Sequence, residues 1–256
     1  MHDIFKHWSE LERDLAVTLK SYELALVRSE RKYNKSSQNI MSVAPLLYRS
    51  INKFIVYGQS NKFHGILKDT PASHTLSNDL ARNVRAQTAK LVKQQDDQRG
   101  VRDYLLKEQS QLNERMSRVH TRVSAYTPLL GAQNVASMRG MLLELHNAYT
   151  PFFSAMDNEI KMRLDLFSEF ENMTIEDQST ANTFAYYVLA VFHQPNLLET
   201  TEAKAEKERI NHLADAIYDE FRVLDAFVRG LRFDNDTKEL HATRTSLVNL
   251  VSERAW

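Results

Sequence analysis

Residues 75–126 read TLSNDLARNVRAQTAKLVKQQDDQRGVRDYLLKEQSQLNERMSRVHTRVSAY, and the spacing within them decides the fold. Val84, Leu91, Gln98, Leu105, Leu112, Val119 and Tyr126 stand seven apart without a slip. Leu80, Val101, Met116 and Val123 partly fill a second seam. A strict seven-residue repeat implies a helix that supercoils left-handedly against a partner helix. Unbroken, it would be about 75–80 Å long. Its middle, Gln94 to Gly100, is polar and ends in glycine. That stretch fits a tip turn between two shorter helices or a continuous, kinked helix; the surviving phase favours the second.

The flanking segments repeat the helical pattern. In residues 3–34, Ile4, Trp8, Leu11, Leu15, Leu19, Tyr22 and Leu26 recur every three or four residues and form one stripe. Asn34-Lys-Ser-Ser reads as a break. A second helix is expected over 38–69, with Pro45 near its start and Asp69-Thr-Pro71 at its end. Thr127-Pro128 closes the heptad segment. Residues 133–173 predict another long helix, kinked or broken at Pro151. Residues 178–193 are apolar on most sides, which predicts burial, including Phe184, Tyr186, Tyr187 and Phe192. Residues 200–231 open with a charged stretch and then carry a seam of Ile210, Leu213, Ile217, Phe221, Leu224, Val228 and Leu231. Phe233 to Asp236 reads as a turn, and 237–254 as a last helix. No β-alternation and no internal repeat is evident. The fold class is therefore all-α, an elongated antiparallel helical bundle or coiled coil with kinked long helices, organised as one domain over 1–256.

Composition supports this reading. Six glycines and five prolines in 256 residues are few, as expected of long helices with few turns. The chain has no cysteine, which excludes disulfides, thiolate nucleophiles and Cys-based metal sites. No apolar run approaches the roughly 18–20 residues of a membrane span, and the N-terminus lacks the apolar core of a signal peptide. The expectation is a cytoplasmic protein, peripheral to a membrane where it meets one.

The formal charge of zero hides an asymmetry. Residues 1–126 hold 21 Lys+Arg against 13 Asp+Glu, and residues 127–256 hold 12 against 20. A basic front half calls for an anionic counterpart: a membrane surface, an acidic protein, or the chain's own second half. Two groups of bases stand out. Arg49, Lys53, Lys62 and Lys68 are interleaved with Tyr48, Phe54, Tyr57 and Phe63, and Arg82, Arg85, Lys90, Lys93, Arg99 and Arg102 lie on the heptad segment. These ten are the candidate contacts to an anionic surface; the plainer reading is a solvated face with local salt bridges. Nucleic acid is disfavoured, since no recognition motif is present and the acidic half would repel phosphate.

Catalytic signatures are missing. There is no P-loop, GxGxxG, HExxH or GxSxG, and the Glu-x-x-His spacing of a di-iron bundle is absent. Glu208 with His212 is a lone pair. Asp234 to Glu239 resembles the start of a calcium loop without its glycine or terminal glutamate. No catalytic residue, metal or cofactor is expected. Ile4, Phe5 and Trp8 read as the start of the first helical seam in preference to a membrane wedge.

Long amphipathic helices, heptad seams, proline kinks and basic faces over residues 3–34, 75–126, 133–173 and 200–231 together resemble a BAR-superfamily domain. That resemblance implies a crescent-shaped antiparallel dimer of three-helix coiled coils bound to curved anionic membranes. The functional expectation is a non-catalytic helical scaffold that binds or shapes anionic membranes as a homodimer. The alternative is a soluble adaptor that binds another protein through its seams, and a third reading is an enzyme with an unrecognised all-helical site.

Overall fold

A computed structural model describes the backbone of residues 2–64, 71–172, 178–192, 198 and 200–233, and the side chains of 7–57, 78–170, 181–189, 198 and 200–230. Among the described residues there is no strand; the protein is an all-α helical bundle. The helices are α1 (His2–His64), α2 (Pro71–Val92), α3 (Gln95–Ala125), α4 (Thr127–Leu130), α5 (Ala132–Asn172), α6 (Gln178–Phe192) and α7 (Thr201–Phe233).

The heptad reading holds along the first seam and, in the second, for all but Leu80, which is half-buried. Val84, Leu91, Gln98, Leu105, Leu112, Val119 and Tyr126 are all buried, as are Val101, Met116 and Val123. The helix breaks for two residues, Lys93 and Gln94, and resumes at Gln95. The Gln94 N–H turns back to the Leu91 carbonyl at 2.9 Å, and the Gln98 N–H bonds the Gln94 carbonyl at 3.0 Å. Gly100 lies inside α3. The polar stretch is thus a short interruption that keeps the seam in phase.

Two sequence expectations change. The break at Asn34 to Ser37 does not occur, because α1 runs unbroken from His2 to His64. The two serines that suggested a turn are bonded to other helices: buried Ser36 Oγ donates to Asp97 Oδ2 at 2.8 Å and accepts from Gln98 Nε2, and half-buried Ser37 Oγ accepts from Arg163 Nη1. Pro45 consequently falls in mid-helix rather than near a helix start, as does Pro151 in α5. Pro71 opens α2, where its missing N–H leaves no helical bond unmade. Asp69, Thr70, Lys68, the turn 234–236 and the expected helix 237–254 lie outside the described residues.

Thr127-Pro128 ends α3 as expected. Pro128 sits in the first turn of α4, and Gly131 closes it with φ of 81°, a conformation that glycine adopts without a Cβ clash. The Gly131 N–H bonds the Thr127 carbonyl at 2.9 Å.

The chain divides into two compact units, each built from segments distant in sequence. The first takes residues 1–28, 106–154 and 198–256, and the second 29–105 and 155–197. In the first unit, Trp8 of α1 stacks on Phe221 of α7 and meets Tyr126 edge-on, with centroids 5.1 and 4.9 Å away. Its Nε1–H donates to Asp225 at 2.9 Å. Trp8 is therefore core, as its place in the seam predicts. Tyr22 meets Tyr149 of α5 edge-on at 4.6 Å, and its hydroxyl pairs with His146 Nδ1 at 3.1 Å. Burial pushes the Tyr22, Tyr126 and Tyr149 phenols up in pKa, so they stay neutral. The seam residues Ile210, Ile217, Leu224 and Val228 of α7 are buried too; Leu213 is half-buried, and the Leu231 side chain lies outside the described residues. Each such side chain contributes about 1.5–3 kcal/mol of burial.

In the second unit, Ile40, Ala44, Leu47, Ile51 and Ile55 of α1 share one core with Val84 and Leu91 of α2, Phe167 and Phe170 of α5, and Ala181, Phe184 and Val188 of α6. The expected burial of α6 is only partial. Phe184 is core and Tyr187 packs against it, but Tyr186 is 71% exposed. The absence of charge in α6 hid the fact that one side of it meets solvent.

A polar layer crosses the same unit. Arg163 of α5 is ion-paired with Glu159 one turn earlier, both almost fully buried. Its Nη1 donates to Ser37 Oγ at 2.8 Å, and its guanidinium lies 5.3 Å from the Tyr33 ring. Burial is the largest cause raising the Tyr33 pKa, with Arg163 opposing it.

Candidate anionic-surface interface

The two units do not coincide with the basic and acidic halves. The first holds 18 Lys+Arg and 20 Asp+Glu, and the second 15 and 13. Front and back segments are interleaved in each, so most of the asymmetry cancels within a unit. The basic character that survives is local. From Arg31 to Lys68 there are seven Lys or Arg and no Asp or Glu.

The described part of that span is the portion of α1 within the second unit. The apolar residues at 40, 44, 47, 51 and 55 face the core, so helical periodicity sends the opposite side to solvent. Arg31, Lys35, Arg49 and Lys53 are all exposed. At 3.6 residues per turn their spacings of 4, 14 and 4 place them within an arc of about 40°, along about 33 Å of helix. None of the four has an ion pair among the described residues. Arg31 and Lys35 are absent from the sequence candidates: Arg31 precedes the expected break at 34–37 and Lys35 falls within it. Once α1 is continuous, they extend the line of Arg49 and Lys53. The cue available in the sequence was the 38-residue absence of carboxylates.

The other candidates separate by environment. Arg85 and Lys90 of α2, and Lys93 just after it, are exposed and unpaired among the described residues. Arg82 is exposed but pairs with Asp79 at 3.2 Å, and Arg99 with Asp96 at 3.3 Å. Such exposed pairs contribute about 0.3–0.5 kcal/mol and leave the bases available to other anions. Arg102 differs: it is half-buried, its Nε donates to Asp157 at 2.7 Å, and that bond raises its pKa. It ties α3 to α5. Lys62 lies in α1 with its side chain outside the described residues, and Lys68 lies outside them altogether.

Exposed apolar side chains lie beside the α1 bases. Met41, Leu46 and Val56 are 44%, 45% and 59% exposed. A second exposed apolar pair, Val223 and Phe227 at 66% and 52%, occupies one side of α7 in the first unit. Among the described residues no helix is long and apolar enough to cross a membrane, and no group of three or more His, Asp or Glu is placed to hold a metal ion. Comparison with protein-family models, curated proteins and solved structures finds no match to this chain.

Proposed function

We propose that this protein is a non-catalytic helical scaffold that lies on an anionic membrane surface through the second unit, with α1 as the contacting helix. The observation that carries the reading is the line of Arg31, Lys35, Arg49 and Lys53, exposed, without an ion pair among the described residues and set in a span without carboxylates. A base held near an anionic bilayer contributes about 1 kcal/mol, so four on one rigid helix support salt-sensitive binding. Arg85, Lys90 and Lys93 add to the same attraction. The long helices and heptad seams keep the scaffold in line with the BAR-superfamily resemblance, which adds membrane shaping and a dimer to the proposal.

The test is co-sedimentation with phosphatidylcholine:phosphatidylserine vesicles over a salt series. Wild-type binding should fall as salt rises. Reversing Arg31, Lys35, Arg49 and Lys53 to Glu should abolish it with helicity and melting temperature nearly unchanged, because none of the four pairs with a carboxylate among the described residues. Full binding by the reversed protein would defeat the proposal.

A second reading, an adaptor or self-associating bundle, draws on α7. Val223 and Phe227 are one turn apart and exposed, which suits a helical partner or a second copy. Sedimentation equilibrium of the wild type and of Val223→Asp/Phe227→Asp tests it: a dimer lost in the variant supports this contact.

A further inference from the structure

Resting on the membrane reading above, we propose that the α1 stripe seats shallowly within an anionic bilayer. Met41, Leu46 and Val56 enter below the phosphate layer while Arg31, Lys35, Arg49 and Lys53 engage it. The three apolar residues belong to the same solvent side as the bases. Helical periodicity puts Val56 and Met41 to one side of the basic line and Leu46 to the other, all within an arc of about 140°. The opposite arc is fully engaged in the core by Ile40, Ala44, Leu47, Ile51 and Ile55. Met41, Leu46 and Val56 lie outside that core cluster, and nearly half or more of each faces water.

The chemistry on both sides of the line selects the occupant. The bases call for an anionic surface, and the missing carboxylates remove any repulsion along α1 from Arg31 to the helix end. Apolar side chains flanking the bases add a demand that a purely charged polymer cannot meet. Arg and Lys extend their charged heads to the phosphates while their methylene stems and the neighbouring Met, Leu and Val enter the acyl boundary. A planar lipid surface meets both demands along the roughly 22 Å from Met41 to Val56. A soluble acidic protein is the competing occupant.

The absence of cysteine allows a clean experiment. Single variants Leu46→Cys and Val56→Cys, with Glu169→Cys on the exposed side of α5 as control, are labelled with an environment-sensitive fluorophore. With phosphatidylcholine:phosphatidylserine vesicles, the labels at 46 and 56 should shift to the blue and become protected from aqueous iodide; the label at 169 should do neither. Heparin, a soluble polyanion, should produce no blue shift at any position. The unlabelled variant Leu46→Ser/Val56→Ser should keep its helicity and bind the vesicles roughly tenfold more weakly. Vesicle binding without a shift at 46 or 56 would overturn insertion while leaving electrostatic attachment intact. Failure to bind vesicles at all would overturn both. An equal shift with heparin or with an acidic protein would assign the stripe to a soluble partner instead.

Discussion

Trp8 lies nearly flat on Phe221, with ring centroids 5.1 Å and planes 12° apart, although the two stand at opposite ends of the sequence. Tyr126 closes the other approach edge-on, and Asp225 takes the indole N–H. One side chain of α1 therefore joins α7 to the end of α3. Trp8→Ala should cost about 3–5 kcal/mol, the range for deleting a large buried aromatic, and should take the indole N–H from Asp225, which keeps Arg229 Nε at 2.7 Å. Trp8→Phe should cost less, because a ring remains to pack on Phe221 while the hydrogen bond and the volume of the second ring are lost. Urea unfolding of the two variants measures both costs; a Trp8→Phe cost equal to that of Trp8→Ala would show that the retained ring does not pack.

The buried Arg163–Glu159 pair makes an asymmetric prediction. Arg163→Met leaves the Glu159 carboxylate buried without its counter-charge and should cost about 3–5 kcal/mol. The double variant Glu159→Leu/Arg163→Met should recover most of that loss, since no charge remains to be solvated. A double variant no more stable than the single one would show that Arg163 acts chiefly through Ser37 and Tyr33.

Gln98 is the polar member of an otherwise apolar seam. Its amide nitrogen serves Ser36, but its carbonyl oxygen is buried without a hydrogen bond. Gln98→Leu removes that unsatisfied group and should be neutral or stabilising by up to about 2 kcal/mol. Ser36 keeps Asp97 as its acceptor in the variant. Gln98→Ala should instead destabilise, because it leaves a void. Thermal melts of both variants decide between polarity and volume at this position.

His120 makes stability depend on pH. Burial, with Arg139 beside it, holds its pKa below the ordinary 6.5. Arg139 Nε donates to His120 Nε2 at 3.2 Å, a bond only the neutral ring can accept. The folded state then binds fewer protons than the unfolded one. The contribution is complete above pH 6.5 and is lost as pH falls through the lower folded value. His120→Gln should flatten the fall of melting temperature below pH 6.5; an unchanged slope would assign that pH dependence to other groups.

The sequence by itself determined what periodicity can carry. The seven-residue repeat from Val84 to Tyr126 named a set of buried positions before any helix partner was known, Gln98 among them. The α7 seam and the core place of Trp8 were equally legible. Where the chain would stop being helical was not. Asn34-Lys-Ser-Ser carries the composition of a turn, and only the side chains of Asp97, Gln98 and Arg163, brought in from α3 and α5, give Ser36 and Ser37 partners that keep α1 continuous. Burial of α6 was overstated for a related reason: apolar residues mark what can be buried, and neighbouring helices decide which side is covered. The candidate surface shows the same division. The sequence shows where the bases are, but a base becomes a contact only if no carboxylate comes within reach in the fold. Asp157 claims Arg102, while Arg31, Lys35, Arg49 and Lys53 meet none among the described residues. Charge pairing acts over a few ångströms in space, and only the tertiary structure brings residues distant in the chain that close.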